Sequence, residues 1–278
     1  MLFILKKIIQ KLKLRSIITA KVLDNVFLNL FGIQIFRIII GRMILIIKRI
    51  FLNIETDEDV KQLIKDGILI IPEFLSDDDF KRVRYEYYQN LESENFEHNY
   101  QPSRGGVGKL TLSGNSISSF TQSTLLDNAK IISLFKWGQG KTILFNKCTF
   151  EKSIYDPKVD AQQKFHRDNF YSTHKAFFYI EDVDVTDSPL CYVKGSNKIT
   201  FLRILHEYIN GLSRYKNKTL RSVESGNTII NWIQQRIKSN EFSAVGEKNT
   251  LVIADTFGYH RRGDLSLKSS RSIIRFNP

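Results

Sequence analysis

The sequence predicts a mainly β, α+β chain, in which a β-rich core is preceded by helices and interrupted once by a helical insertion. Three observations carry this. Residues 176–180 (Ala-Phe-Phe-Tyr-Ile) and 250–257 are bulky runs of strand-forming side chains, the second opening after the turn-like Gly246-Glu247-Lys248-Asn249. Helix start and stop signals cluster before the first of these runs. Between them, residues 199–239 repeat apolar side chains at helical spacing. The chain has 278 residues, 42% of them hydrophobic and 12% aromatic, enough for one β-rich domain with a substantial core.

Taken in order, residues 1–54 form a basic, apolar segment distinct from residues 55–278. The net charge of +12 is concentrated here, because residues 1–52 hold ten Lys or Arg against the single acid Asp24. No nucleic-acid motif accompanies the charge, so nucleic acid is not the expected partner. Residues 31–47 are apolar but contain Arg37 and Arg42. Twelve apolar residues at about −0.5 kcal/mol each are cancelled by two arginines at about +3 kcal/mol each, which argues against a membrane span. No cleavable signal pattern is evident, since Lys6, Lys7, Lys11 and Lys13 interrupt the opening apolar run. Two amphipathic helical pieces meeting near Gly32 are expected. They either lie on an anionic membrane surface or pack on the domain or a second subunit.

A helix over 57–65, stopped by Gly67, leads into a strand over 68–71. Ser76 with Asp79 resembles a capping box for a helix reaching Leu91, with Phe80, Val83, Tyr87 and Leu91 facing inward. Residues 104–108 read as a glycine-rich loop, 125–138 as a helix and 142–154 as a strand. In the insertion, Phe201, Leu202, Leu205 and Tyr208 make the apolar face of a helix, a lid between the two halves of the site described next. Cys148 and Cys191 read as buried reduced thiols of a cytoplasmic protein. Asn217-Lys218-Thr219 fits a glycosylation acceptor but no secretion signal supports it, and His98, His174 and His206 read as ordinary histidines.

The chemistry is centred on Lys164-Phe165-His166-Arg167-Asp168 and Tyr259-His260-Arg261-Arg262-Gly263. In an extended chain, side chains two apart share a face, so His166 and Asp168 can grip one ion together. His260 ends the second strand run. Two histidines and one carboxylate on one side of a metal, with the opposite positions open, is the arrangement of non-haem iron(II) oxygenases.

Longer stretches strengthen this reading. Residues 178–198 run from Phe178-Tyr179-Ile180 through the acidic turn Glu181-Asp182-Val183-Asp184 to Cys191-Tyr192-Val193-Lys194-Gly195-Ser196-Asn197. Asp66-Gly67, the following apolar strand and Pro72-Glu73-Phe74-Leu75-Ser76 form another such stretch. Both resemble the phytanoyl-CoA dioxygenase family, with Lys194 where that family has Pro and Asn197 where it has His. The resemblance runs from about Thr56 to the C-terminus. It implies a double-stranded β-helix, or jelly roll, with iron(II) bound by His166, Asp168 and His260, 2-oxoglutarate as cosubstrate and O2 as oxidant. It also implies that Arg271 holds the far carboxylate of 2-oxoglutarate, with Arg275 as the rival on the same strand face. The presence of Asp168 favours hydroxylation over halogenation, with release of succinate and CO2. The substrate expected is a small-molecule or lipid-like compound. The alternatives are a non-catalytic cupin-like metal- or ligand-binding protein and a membrane-surface binding protein.

Overall fold

The computed structural model describes residues 26–52, 56–93, 106–157, 161–213, 235 and 239–278. Two antiparallel sheets face each other as a jelly roll. The larger has six strands in the order β1-β7-β4-β9-β3-β2, the smaller three in the order β6-β5-β8. The strands are β1 (Ile68–Ile71), β2 (Val107–Ser113), β3 (Lys147–Ile154), β4 (His174–Tyr179), β5 (Leu190–Val193), β6 (Glu241–Ala244), β7 (Leu251–Asp255), β8 (His260–Arg262) and β9 (Ser270–Phe276). The helices are α1 (Val26–Leu30), α2 (Ile33–Leu52), α3 (Glu58–Asp66), α4 (Asp77–Leu91), α5 (Ala129–Gln139) and α6 (Phe201–Ser213).

Strand alternation splits the large sheet into two environments. Phe150, Ala176, Phe178, Ile253, Ile274 and Phe276 point outward, into a core closed by α3, α4 and α5. Ile68, Tyr179, Val252, Ala254 and Ile273 point inward and meet Leu190, Tyr192 and Ala244 of the small sheet. The register brings Ser153 opposite Arg271, Glu151 opposite Ile273 and Thr149 opposite Arg275, so these polar groups share the inner face with that second core. Lys109 lies opposite Glu151 and joins them.

The local signals act as expected. Asp57 caps α3 by accepting from the Val60 N–H, and Gly67, at φ 78°, ends it. Ser76 caps α4 by accepting from the Asp79 N–H, while its hydroxyl donates to the Asp79 carboxylate. Phe80, Val83 and Tyr87 of α4 are buried and Leu91 packs at the edge of the same core. Cys148 and Cys191 are free and buried.

Other elements differ from expectation. Val107 and Gly108 belong to strand β2, because their backbone pairs with Ser153 and Lys152 of β3 rather than forming a loop. The strand expected over 142–154 starts at Lys147, and the helix expected from Leu125 starts at Ala129, where the Asn128 side chain caps it. Residues 214–234, including the Asn217-Lys218-Thr219 acceptor, and His98 lie outside the described residues.

The described part of the N-terminal segment, residues 26–52, forms two helical pieces that meet at Gly32, whose φ of 75° suits glycine. Helix α2 packs on the domain by one face. Arg37 is buried and stacks 3.5 Å from the centre of the Phe170 ring, and Arg49 stacks on Trp137 and donates to its carbonyl. Ile38 joins Phe170 and Phe257 in a small apolar cluster.

Candidate metal centre

His166 lies outside any full strand, yet its backbone pairs antiparallel with His260, the first residue of β8. Asp168 follows in an irregular stretch, tied down by its N–H donating to the Thr256 carbonyl at 3.0 Å. These ladder contacts, rather than a long strand, bring the three sequence-predicted residues together. Asp168 Oδ1 stands 3.9 Å from Nε2 of both histidines, and the three ligand atoms lie within 4.8 Å of one another. Metal–ligand bonds of about 2.0–2.2 Å put two donors on one ion at most roughly 4.4 Å apart, so small side-chain shifts close this set round a single ion. Both imidazoles are turned for it. Nδ1 of His166 meets the Lys164 carbonyl at 2.8 Å and Nδ1 of His260 meets the Gly258 carbonyl at 3.0 Å, leaving each Nε2 facing the carboxylate.

Electrostatics suit the same purpose. Burial, then the adjacent His166, push the His260 imidazole down to about 3, so it stays neutral and ready to ligate. Burial raises the Asp168 carboxyl, but the Lys175 ammonium 2.7 Å from Oδ2, with the two imidazoles, outweighs that and holds it at about 2. Lys175 thus engages one carboxylate oxygen while the other faces the histidines. The chemistry of the donor set, two imidazole nitrogens and one anionic oxygen, fits a divalent first-row cation.

Arg271 sits on the inner face of β9, 5% exposed. Its Nη1 donates to the Ser188 carbonyl and its Nη2 lies 3.3 Å from Glu151 Oε1. Among the described residues its hydrogen bonds and ion pair go to Ser188 and Glu151, not to the His-Asp-His set. Arg275 also reaches Glu151, at 3.4 Å, and so does Lys109, at 3.5 Å. Burial alone would raise the Glu151 carboxyl, yet Arg275, Lys109, Arg271 and Arg262 hold it below the usual range. Three buried polar atoms here have no hydrogen-bond partner among the described residues: Nε of Arg271 and Oγ of Ser153, which stand opposite each other across β3 and β9, and Nε of Arg275.

Behind the two histidine segments lies a buried charged cluster that sequence reading missed. The inward face of α6 is Arg203, His206, Glu207 and Asn210, while Phe201 is exposed. Glu207 accepts from Arg167 at 2.7 and 2.8 Å, from the Tyr259 hydroxyl at 3.3 Å, and pairs with Arg203 at 3.1 Å. His206 meets the same Tyr259 hydroxyl at 2.5 Å, and Arg203 donates to the Phe257 carbonyl at 2.8 Å. Arg167 separates His166 from Asp168, and Tyr259 precedes His260. The described part of the insertion is therefore a buttress behind the ligand segments, not a lid as its apolar spacing suggested. His174 is also buried, edge-on to Phe135, and plays no part in the site.

Asn197, at the position where the resembling family has His, donates to the Leu63 and Ile64 carbonyls at the end of α3. Gly258, in the turn before His260, has a steric role: a Cβ there would stand 1.8 Å from the Tyr192 hydroxyl, which donates to the Asp255 carbonyl.

Fold and site together define a jelly roll carrying a His-Asp-His cluster on its inner side. No protein-family model and no curated protein matches the sequence. Among solved structures, the chain is similar to the non-heme alpha ketoglutarate dependent epimerase SnoN from nogalamycin biosynthesis (TM-score 0.56, 13% identity, 79% of this chain and 80% of that one). It is also similar to the carbocyclase SnoK from the same biosynthesis (TM-score 0.52, 13% identity, 80% and 83%) and to EctD from S. alaskensis (TM-score 0.53, 11% identity, 81% and 79%). At these identities the likeness establishes a shared fold.

Proposed function

We propose that the chain is an iron(II)- and 2-oxoglutarate-dependent oxygenase that hydroxylates a small or lipid-like organic substrate. The observation that carries this is the convergence of His166 Nε2, His260 Nε2 and Asp168 Oδ1, with both Nδ1 atoms tied to backbone carbonyls. The shared fold with SnoN and SnoK, described as alpha ketoglutarate dependent, and the resemblance to the phytanoyl-CoA dioxygenase family support the same class.

In this reading His166, Asp168 and His260 hold the iron, which supplies the activation of O2 when bound. Lys175 orients Asp168 by engaging its second oxygen. Arg271 takes the far carboxylate of 2-oxoglutarate, because a planar guanidinium makes charge-assisted hydrogen bonds that fix such a group's direction. The unpartnered Arg271 Nε and Ser153 Oγ support that role. The balanced reaction is R–H, O2 and 2-oxoglutarate giving R–OH, succinate and CO2.

The test is incubation of the purified full chain with iron(II) and 2-oxoglutarate under air, measuring succinate. Succinate formed above the level of an Asp168→Ala variant supports the reading. Tight one-to-one metal binding with no succinate, across a panel of candidate substrates, replaces it with the non-catalytic metal-binding alternative.

A further inference from the structure

Helix α2 has two faces, and only one is used by the domain. Gln34, Arg37, Ile38, Gly41 and Leu45 are buried against it. The opposite arc carries Phe36, Ile39, Met43, Ile46, Ile50 and Phe51, all exposed, with Phe36 at 60%, Ile50 at 71% and Phe51 at 63%. At 100° per residue these six fall within a single stripe that contains no charged side chain. Before Gly32, Phe27 and Leu30 of α1 are exposed as well. A contiguous apolar face of this length is rare on a soluble monomer.

The chain leading into that face has the complementary chemistry. Residues 1–25 carry Lys6, Lys7, Lys11, Lys13, Arg15 and Lys21 against Asp24, spaced among Leu and Ile. Arg37 and Arg49 are turned onto Phe170 and Trp137. On α2 itself Arg42 and the exposed Lys48 flank the stripe on its two sides, and residues 1–25 add further basic charge to the same segment. No helix among the described residues is long and apolar enough to cross a membrane.

We infer that the outer face of α1 and α2 is a docking surface for an anionic lipid bilayer. It lies in the interface plane, with its apolar side chains at the acyl boundary and the flanking Arg42 and Lys48 at the headgroups, the basic charge of residues 1–25 strengthening the attraction. The domain side of α2 stays packed on Phe170 and Trp137, so the jelly roll rides on the lipid surface through this helix. A second copy of the chain is disfavoured by the charge: a dimer made through this face would bring two strongly basic N-terminal segments together.

The experiment is flotation of the full chain with vesicles of phosphatidylcholine, with and without phosphatidylglycerol. Three proteins are compared: the unaltered chain, an Ile39→Glu, Ile46→Glu, Ile50→Glu variant, and a Lys6→Gln, Lys7→Gln, Lys11→Gln, Lys13→Gln variant. All seven isoleucine and lysine sites tested on α2 and in residues 1–25 lie outside the candidate metal centre, and thermal unfolding of each variant checks that the fold is kept. The expected result is binding to the anionic vesicles only. Raising the salt to about 0.5 M should weaken it at least about tenfold, as should either set of substitutions. Equal binding to neutral vesicles overturns the anionic surface. Failure to bind any vesicle overturns the proposal. Sedimentation then names the occupant: a dimer that the glutamate variant dissociates indicates a second copy, and a monomer indicates residues 1–25 folded over the stripe. None of these outcomes depends on succinate formation.

Discussion

The peptide groups of His166 and His260 exchange two hydrogen bonds, at 2.9 and 3.0 Å, so the two imidazoles leave the backbone on one side with ring centres 4.5 Å apart. Segments more than ninety residues apart in sequence are thereby locked in a register that sets the bite of the site.

Because the backbone sets that bite, removing a ligand side chain should cost metal and little else. His166→Ala, Asp168→Ala and His260→Ala are each expected to lose stoichiometric iron(II) while keeping the far-UV circular dichroism of the unaltered chain. Metal analysis after gel filtration reads this out. Full iron occupancy in Asp168→Ala would remove Asp168 from the ligand set.

Arg271→Ala is expected to raise the 2-oxoglutarate concentration needed for half-maximal succinate formation. Loss of a buried charge-assisted contact costs about 2–5 kcal/mol, or roughly thirty- to several-thousand-fold. Arg275→Ala, whose side chain is 24% exposed, should change it far less. The reverse ranking would shift the cosubstrate role to Arg275.

Glu207→Gln leaves Arg167 and Arg203 buried without a counter-charge. Breaking such a buried cluster costs about 3–5 kcal/mol, and for a domain of this size that lowers the melting temperature by roughly 10 °C. Differential scanning calorimetry measures it. An unchanged melting temperature would mean that the cluster does not hold the histidine segments.

Acid sensitivity of the metal-free protein has a definite sign. An unfolded His260 takes up its proton near 6.5, the folded one only near 3. Between those values the unfolded state binds more protons, so this group's contribution to stability is complete above about 6.5. It falls away as the pH is lowered towards 3. Urea midpoints across that range should drop less steeply for His260→Gln than for the unaltered chain, and parallel curves would show that His260 is not the group responsible.

Much of the site was legible because its signals are local. The one-residue spacing of His166 and Asp168 and the break at Gly32 each follow from a few neighbouring residues, whereas His260, expected at the end of the strand run over 250–257, instead opens β8 after that strand has stopped at Asp255. Their partners are legible only in three dimensions. Glu207 and Arg203 lie on a helix whose apolar spacing points to Phe201 and Tyr208, and the charged stripe becomes the buried one because Arg167 and Tyr259 arrive opposite it. Glu151 reads as an ordinary strand carboxylate until the register places Lys109, Arg271 and Arg275 around it. The extent of α2's packing was hidden for a related reason: Arg37 counts as a charge against burial in any sequence scale, yet it is accommodated by the Phe170 ring.

Glu151 offsets only part of the cations gathered at its end of the jelly roll. Among the described residues Arg271 and Arg275 both pair with that one carboxylate, two guanidinium charges against one, leaving an attractive field for small dianions. Such a field acts on encounter before any specific contact forms. The association rate of a dicarboxylate should therefore fall as ionic strength rises, more steeply than that of a neutral compound of the same size. Succinate, still a dianion after it forms, would leave against that same field and compete with the next molecule to arrive.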